Sequence, residues 1–221
     1  MARQLPAYLS YKSALALLPP SSIMAPIEQV RRVRDKHFAR WPAHINLLYP
    51  FRTAPSEDVA QASTQSASGP NGEQRTTFGP LKADVKNRIR QVLASIEPFE
   101  VELSAEHPGT FSYSTRSKTV WLCPSTNRVQ ELQAALRAEF SECDADERHF
   151  THHLSVGQAT SEEGMEVLRE EMKSSILAFL GNSASKTASL AWNIDRVHVM
   201  ERKDFRSSFQ VVDSIRLGES A

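Results

Sequence analysis

The side chains best suited to chemistry stand in two tripeptides, His44-Ile45-Asn46 and His153-Leu154-Ser155. In each, an imidazole precedes a small hydrogen-bonding side chain by two positions. Each tripeptide also opens an apolar run, HINLLYPF in one half of the chain and HHLSVGQA in the other. An imidazole with an ordinary pKa of about 6.5 can take up or give a proton near neutral pH. Two imidazoles, each beside a group able to bind a phosphate oxygen, suggest two equivalent half-sites for a phosphodiester.

Successive side chains of a strand point to opposite faces, so the positions decide what each run presents. Strict alternation predicts Ile45, Leu47, Tyr49 and Phe51 on one face, with His44 and Asn46 on the other. It likewise sets Leu154 and Val156 on one face and His153, Ser155 and Gly157 on the opposite one. Each run is then a strand with an apolar back packed on helices and a polar front. Two such fronts facing each other make a cleft.

The bare triplet carries little weight. The composition predicts roughly one or two H-x-[STN] triplets by chance, and the chain has three. The third, His149-Phe150-Thr151, follows the acidic, turn-like CDADER and lacks apolar alternation in front of it, which ranks His153 above it. His152 falls on the Phe150/Leu154 face and reads as a partly buried histidine at a strand entry.

The elements that must position these residues follow from hydrophobic periodicity. SALALL (13–18) reads as a strand ended by Pro19-Pro20, and Ile27 to His37 as an amphipathic helix. Strand, helix and HINLLYPF form a βαβ-like unit. Residues 53–78 are Ser, Ala, Gln, Thr, Gly and Pro with almost no large apolar side chain, the pattern of a disordered loop inserted into a domain. Helices are predicted over Leu81–Ile96, Asn127–Phe140 and Met165–Leu180, the last stopped by Gly181-Asn182. Phe99–Leu103 and KTVWLC read as strands, with HPGTFSYSTRS between them as a turn-like aromatic segment. SLAWNIDRVHVMER and SSFQVVDSIRL read as two further strands. The sum is an α+β protein of one domain, with a histidine-bearing strand-helix-strand pattern in each half.

WPAHINLLYPF and HHLSVGQ, in that order and with those helices between them, resemble the two-histidine phosphoesterase superfamily. This is the group of 2′-5′ RNA ligase-like and cyclic phosphodiesterase-like proteins. The resemblance runs from about Ala14 to Leu217, apart from the polar loop. It implies a single bilobal domain, two antiparallel-rich sheets with outer helices around a central cleft, related by a pseudo-twofold axis. His44 and His153 match the family's catalytic histidines and Ser155 its phosphate-binding hydroxyl. Asn46 departs from the usual Thr or Ser, although its amide still donates to a phosphate oxygen. His152 stands where related sequences often have proline.

The activity so implied is hydrolysis of RNA-type phosphodiesters, 2′,3′-cyclic phosphates or 2′-5′ linkages, with one histidine as base and the other as acid. It calls for no metal and no cofactor, and its partner is an RNA end, an oligonucleotide or a cyclic nucleotide. Phe111, Tyr113 and Arg116 are candidate substrate contacts that stack a base or pair with a phosphate. Their bland reading is a loop that covers the core edge. Trp41 and Tyr49 are assigned to packing, and the basic run RRVRDKHFAR to the solvated face of a helix.

Composition agrees with a small ligand or a strand end. The 221 residues carry zero formal net charge, which gives no long-range attraction to bulk nucleic acid. Two cysteines, no secretory-type leader and no apolar stretch near 18 residues predict an intracellular, cytoplasmic or nuclear monomer that does not enter a membrane. Two competing readings remain. Cys143, Asp144, Asp146, His149, His152 and His153 can be read as zinc ligands, but no recognised spacing is complete, and LSVGQA favours a strand over the helix such a site would use. A nucleotide- or RNA-binding module that keeps the cleft without useful catalysis is the other, with Asn46 as its motive.

Overall fold

A computed structural model of the chain describes residues 5–57, 78–114, 117–143, 150–181 and 187–219. In order, the elements are β1 (Leu9–Ser10), β2 (Ser13–Leu17), α1 (Ser21–Arg34), β3 (Ile45–Leu48), β4 (Phe51–Arg52), α2 (Ala83–Leu93), β5 (Phe99–Ser104) and β6 (Gly109–Ser114). Then follow β7 (Ser117–Leu122), α3 (Arg128–Glu139), a 3-10 turn (Ser141–Cys143), β8 (Leu154–Ala159), α4 (Glu162–Leu180), β9 (Ser189–Ile194), β10 (Arg196–Glu201) and β11 (Gln210–Arg216).

Seven strands form an antiparallel sheet in the order β11-β10-β2-β3-β8-β7-β6, and β5 pairs with β9 and β1 with β4 as separate ribbons. The two histidine-bearing strands are the central neighbours, and they join the halves of the sheet at Ile45↔Leu154. Each half thus contributes its own antiparallel strands, with the seam between them at the midline. Although a helix links β2 to β3, the two strands run antiparallel, so this βαβ-like unit is not the parallel kind.

The helices form where the apolar period is strong. On α2, Val85, Ile89 and Leu93 are buried at four-residue spacing, which keeps them on one face. On α4, Met165, Leu168, Met172 and Ile176 do the same, the Ser161 hydroxyl accepts from the Gly164 N–H at the start, and Gly181 ends the helix at φ 65°. A residue with positive φ is cheapest as glycine, which is why the helix stops there. α1 and α4 pack on each other and on β8, and α3 packs on β3. The large apolar cluster containing Leu15, Leu17, Ile45, Leu154, Val156 and Val199 lies on this helix side. A smaller cluster of Ala16, Met200 and Phe209, with Leu18, Trp41 and Tyr49 against it, belongs to the alternate residues of the same strands and therefore to the opposite face.

Three sequence expectations change. HPGTFSYSTRS contains a strand, β6, paired with β7; its Ser, Thr and Gly content hid the alternation. SLAWNIDRVHVMER is two strands that separate at Asp195 and join different sheets. The first helix starts at Ser21, six residues early, because its proline, Pro26, sits one turn in and is buried instead of ending it. Of the 53–78 insertion, residues 58–77 lie outside the described residues. Its base is tied by the bridge Ser56↔Leu81 and by Glu57 N–H donating to the Pro80 carbonyl.

Candidate active site

Both histidine strands depart from strict alternation at equivalent places. Opposite β2, Asn46 faces Ala16 but Leu48 faces Leu15, which leaves Leu47 as an extra residue. Opposite β7, Ser155 faces Trp121 but Gly157 faces Val120, which leaves Val156 extra. Each strand therefore carries a bulge immediately after its H-x-[N/S] triplet, and a bulge inverts the faces beyond it. This overturns two expectations from parity. Tyr49 joins the front cluster beside Trp41, at 5.3 Å between ring centroids. Gly157 turns to the helices, where a Cβ would come within 2.7 Å of the Arg34 Cβ.

Before the bulges the alternation holds, and the triplets face the same way. Continuing the Ile45↔Leu154 register by one residue in each direction sets His44 opposite Ser155 and Asn46 opposite His153. Directly opposed residues of an antiparallel pair are about 4.5–5.5 Å apart at Cα, so the register brings the backbone of each triplet alongside that of the other, diagonally across the seam.

The rings are held in the same way in both halves. His44 Nδ1 lies 2.8 Å from the Pro42 carbonyl, and His153 Nδ1 lies 2.7 Å from the Thr151 carbonyl, each two residues back. A carbonyl only accepts, so Nδ1 carries the proton and Nε2 keeps the lone pair. Neither Nε2 has a partner among the described residues. Burial pushes the His44 pKa down to about 4, against the opposing pull of the Pro42 carbonyl, with Arg31 and His153 adding to the depression. His153 is lowered for the same first reason, partly offset by Thr151. Both rings are thus neutral near pH 7, with Nε2 as a free base. The Asn46 Oδ1, an acceptor, is buried without a partner and calls for a donor, whereas its Nδ2 is the atom able to donate to a phosphate oxygen.

The aromatic surroundings differ. Trp41 lies flat on His44, at 4.4 Å and 17° between planes, and Phe209 stacks on Trp41 at 3.7 Å and 28°. His153 meets Phe111 at 4.8 Å and 80°, and Phe111 stacks on Trp121. Of the candidate substrate contacts, Phe111 is therefore beside a site histidine. Tyr113 lies on β6 with its side chain outside the described residues, and Arg116 lies outside them altogether.

Two residues assigned to other tasks belong to the site. Trp41, read as packing, forms the wall of His44; its place three residues before the histidine was visible but gave no sign of stacking. Arg31, read as part of a solvated basic face, is 2% exposed. Its guanidinium holds the Asp35 carboxylate at 2.6 Å and donates to the Trp41 carbonyl at 3.0 Å. The Gln158 amide donates to the other Asp35 oxygen. The loop that delivers His44 is thus clamped from below by a buried ion pair, while Arg34 meets Glu171 and Arg32 is exposed.

His152 is half-buried with Nε2 3.9 Å from the Cys123 thiol, as a strand-entry residue. Cys123 and Cys143 are both free thiols. Asp144, Asp146 and His149 of the zinc alternative lie outside the described residues, and among those described no cluster of three metal-ligating side chains occurs. Among them, too, no helix is long and apolar enough to cross a membrane.

Two bulged strands, each entered through a backbone-pinned imidazole, thus meet at one seam. The family model described as "2′-5′ RNA ligase superfamily" matches residues 19–205, and the chain belongs to that family. The general chemistry is that of phosphoesterases acting on RNA phosphodiesters. The fold is similar to that of E. coli LigT solved with 3′-AMP, with TM-score 0.52, 14% identity and coverage of 95% of this chain and 99% of that one. It is equally similar to TT0787 of Thermus thermophilus, with TM-score 0.52, 12% identity and coverage of 95% and 100%. No curated protein matches by sequence.

Proposed function

We propose that this chain is a metal-independent phosphodiesterase that opens 2′,3′-cyclic phosphates or 2′-5′ linkages of RNA by general acid–base catalysis, with His44 and His153 as its proton carriers. The observation that supports this most directly is the matched pair of imidazoles, each pinned through Nδ1 with Nε2 unpartnered, on one face of two adjacent strands. One Nε2 takes the proton of the attacking water while the other, protonated, delivers its proton to the departing ribose oxygen. Asn46 and Ser155 donate to the nonbridging oxygens, where charge builds in the transition state.

The test is turnover of a panel of 2′,3′-cyclic nucleotides and 2′-5′-linked dinucleotides in chelator by wild type, His44→Ala and His153→Ala. Wild type turns over at least one class, and each variant loses most of that rate. Equal rates in the three proteins overturn the two-histidine reading. Ligand binding without turnover in wild type replaces it with a binding module of the same fold.

A further inference from the structure

The zero net charge of the chain conceals a local concentration of cations on the loop that leads into β11. The loop between β10 and β11 carries Lys203, Phe205 and Arg206, all exposed, and Phe205 is 56% exposed. Its carboxylate, Asp204, is occupied at Oδ1 by the N–H groups of Arg206 and Ser207. The turn between β1 and β2 carries Tyr11, 42% exposed. Exposed apolar side chains scattered singly are ordinary, but those gathered into one patch mark an interaction surface.

These two loops are fastened together and to the site. Arg202, itself 6% exposed, donates to the Tyr11 carbonyl from Nη2 at 2.8 Å and from Nε at 3.2 Å, and reaches the Phe205 carbonyl at 3.4 Å. Its guanidinium lies 4.6 Å from the Phe209 ring centroid and 5.0 Å from that of Phe205. Phe205, Arg202, Phe209, Trp41 and His44 are thus linked by successive contacts between planar groups, from an exposed ring to the site. A second route runs by ring contacts from His44 through Trp41 and Tyr49 to Tyr11, in steps of 4.4, 5.3 and 5.4 Å. Arg40 reaches the Phe205 carbonyl at 3.5 Å and adds a further cation to the rim.

We infer that this rim, with Tyr11 and Phe205 as stacking platforms and Arg40, Lys203 and Arg206 as phosphate partners, binds the single-stranded RNA that flanks the scissile phosphodiester. The inference rests on the phosphodiesterase reading and adds to it that the substrate is an oligonucleotide, engaged a few nucleotides beyond the cleft. Aromatic faces accept any base, and cations spaced among them follow the phosphates, the combination that holds single strands without reading sequence. A duplex keeps its bases stacked on one another and cannot use the two rings.

The experiment pairs a fluorescein-labelled hexaribonucleotide ending in a 2′,3′-cyclic phosphate with the bare 2′,3′-cyclic mononucleotide. Affinity for the hexamer is read by anisotropy and turnover is read on both, in wild type, Tyr11→Ala/Phe205→Ala and Lys203→Glu/Arg206→Glu. Tyr11→Ala spares the carbonyl that holds Arg202, and unchanged thermal unfolding confirms that each variant is folded. The expected result is hexamer affinity weakened about tenfold or more in both variants, with kcat/KM for the mononucleotide unchanged. The hexamer's salt dependence becomes shallower in the charge variant, and a duplex of the same length competes poorly.

Unchanged hexamer affinity, or equal losses on hexamer and mononucleotide, overturns the rim. If the hexamer binds through the rim but is not turned over, the rim stands and the phosphodiesterase reading falls. If both substrates turn over at the same rate in all three proteins, the reverse holds. Failure of wild type to bind the hexamer overturns the rim as well.

Discussion

The half-site on β3 and the half-site on β8 share a backbone design and differ in nearly every side chain around it. In both, the ring is pinned by the carbonyl two residues back, the strand then bulges, and the alternate face is given over to packing. Around that frame, Asn46 stands where the other half has Ser155, and Trp41 lies flat on one ring while Phe111 meets the other at a steep angle. Main-chain geometry fixes which nitrogen is free and is the same in both halves. The side chains around the rings differ between the halves.

If the two rings act as one unit, removing either should cost the same. His44→Ala and His153→Ala are each expected to lower kcat/KM by about 10²–10⁴-fold, the range of a lost general acid or base. The double variant should fall little further, because groups that act together are not additive. A large, additive second loss would split the pair into independent contributions. The phosphate-binding positions probe the unequal part of the comparison. Asn46→Ala and Ser155→Ala each remove one donor at the developing charge, worth about 10²–10³-fold in kcat. Asn46→Ser should retain most activity if only a donor is required there, and its failure would mean that the amide has a task of its own.

The candidate pair was legible because parity up to the bulge is a local property of sequence. His44, Asn46, His153 and Ser155 follow it, and they share a face as the alternation requires. What lies past the bulge was not legible, since an extra residue is set by pairing with β2 and β7, partners far away in the chain. Tyr49 and Gly157 were misplaced for that one reason. Arg31 escaped for another: its charge satisfies the pattern of a solvated face, and although its partner Asp35 is local, at i+4, the burial of the pair and the Trp41 carbonyl that completes it are set by tertiary packing. The helices α2, α3 and α4 were read nearly to their ends because their apolar spacing is local too, whereas the first turns of α1 were missed ahead of Pro26.

The bulge itself can be tested on the β8 side. A methyl at Gly157 meets the Arg34 Cβ, the Arg34 carbonyl and Leu168, and overpacking of that kind costs about 1–3 kcal/mol. Gly157→Ala should lower the unfolding midpoint measurably, whereas strict alternation would turn the methyl toward the open front at little cost. An unchanged midpoint in thermal or denaturant unfolding would place Gly157 on the front and remove the equivalence of the two bulges.

The smallest effect expected is on the pH dependence of stability, where the two rings act in the same direction. Both imidazoles are depressed in the folded protein, His44 to about 4, so below the ordinary value the unfolded chain binds more protons than the folded one. The stability they contribute is therefore fully present above about pH 6.5 and is lost as pH falls toward about 4. His198, also pushed down to about 4 by burial, adds to the same slope and stays in place in either variant. Unfolding midpoints measured from pH 7 to pH 4 should fall in wild type and fall less in both His44→Ala and His153→Ala. A wild-type midpoint that is flat over this range, or a fall in both variants as steep as in wild type, would mean that neither ring is held neutral by the fold. Under the proposed mechanism, in which one ring is protonated while the other is free, the lowering of both rings predicts that kcat/KM peaks on the acid side of pH 6.5.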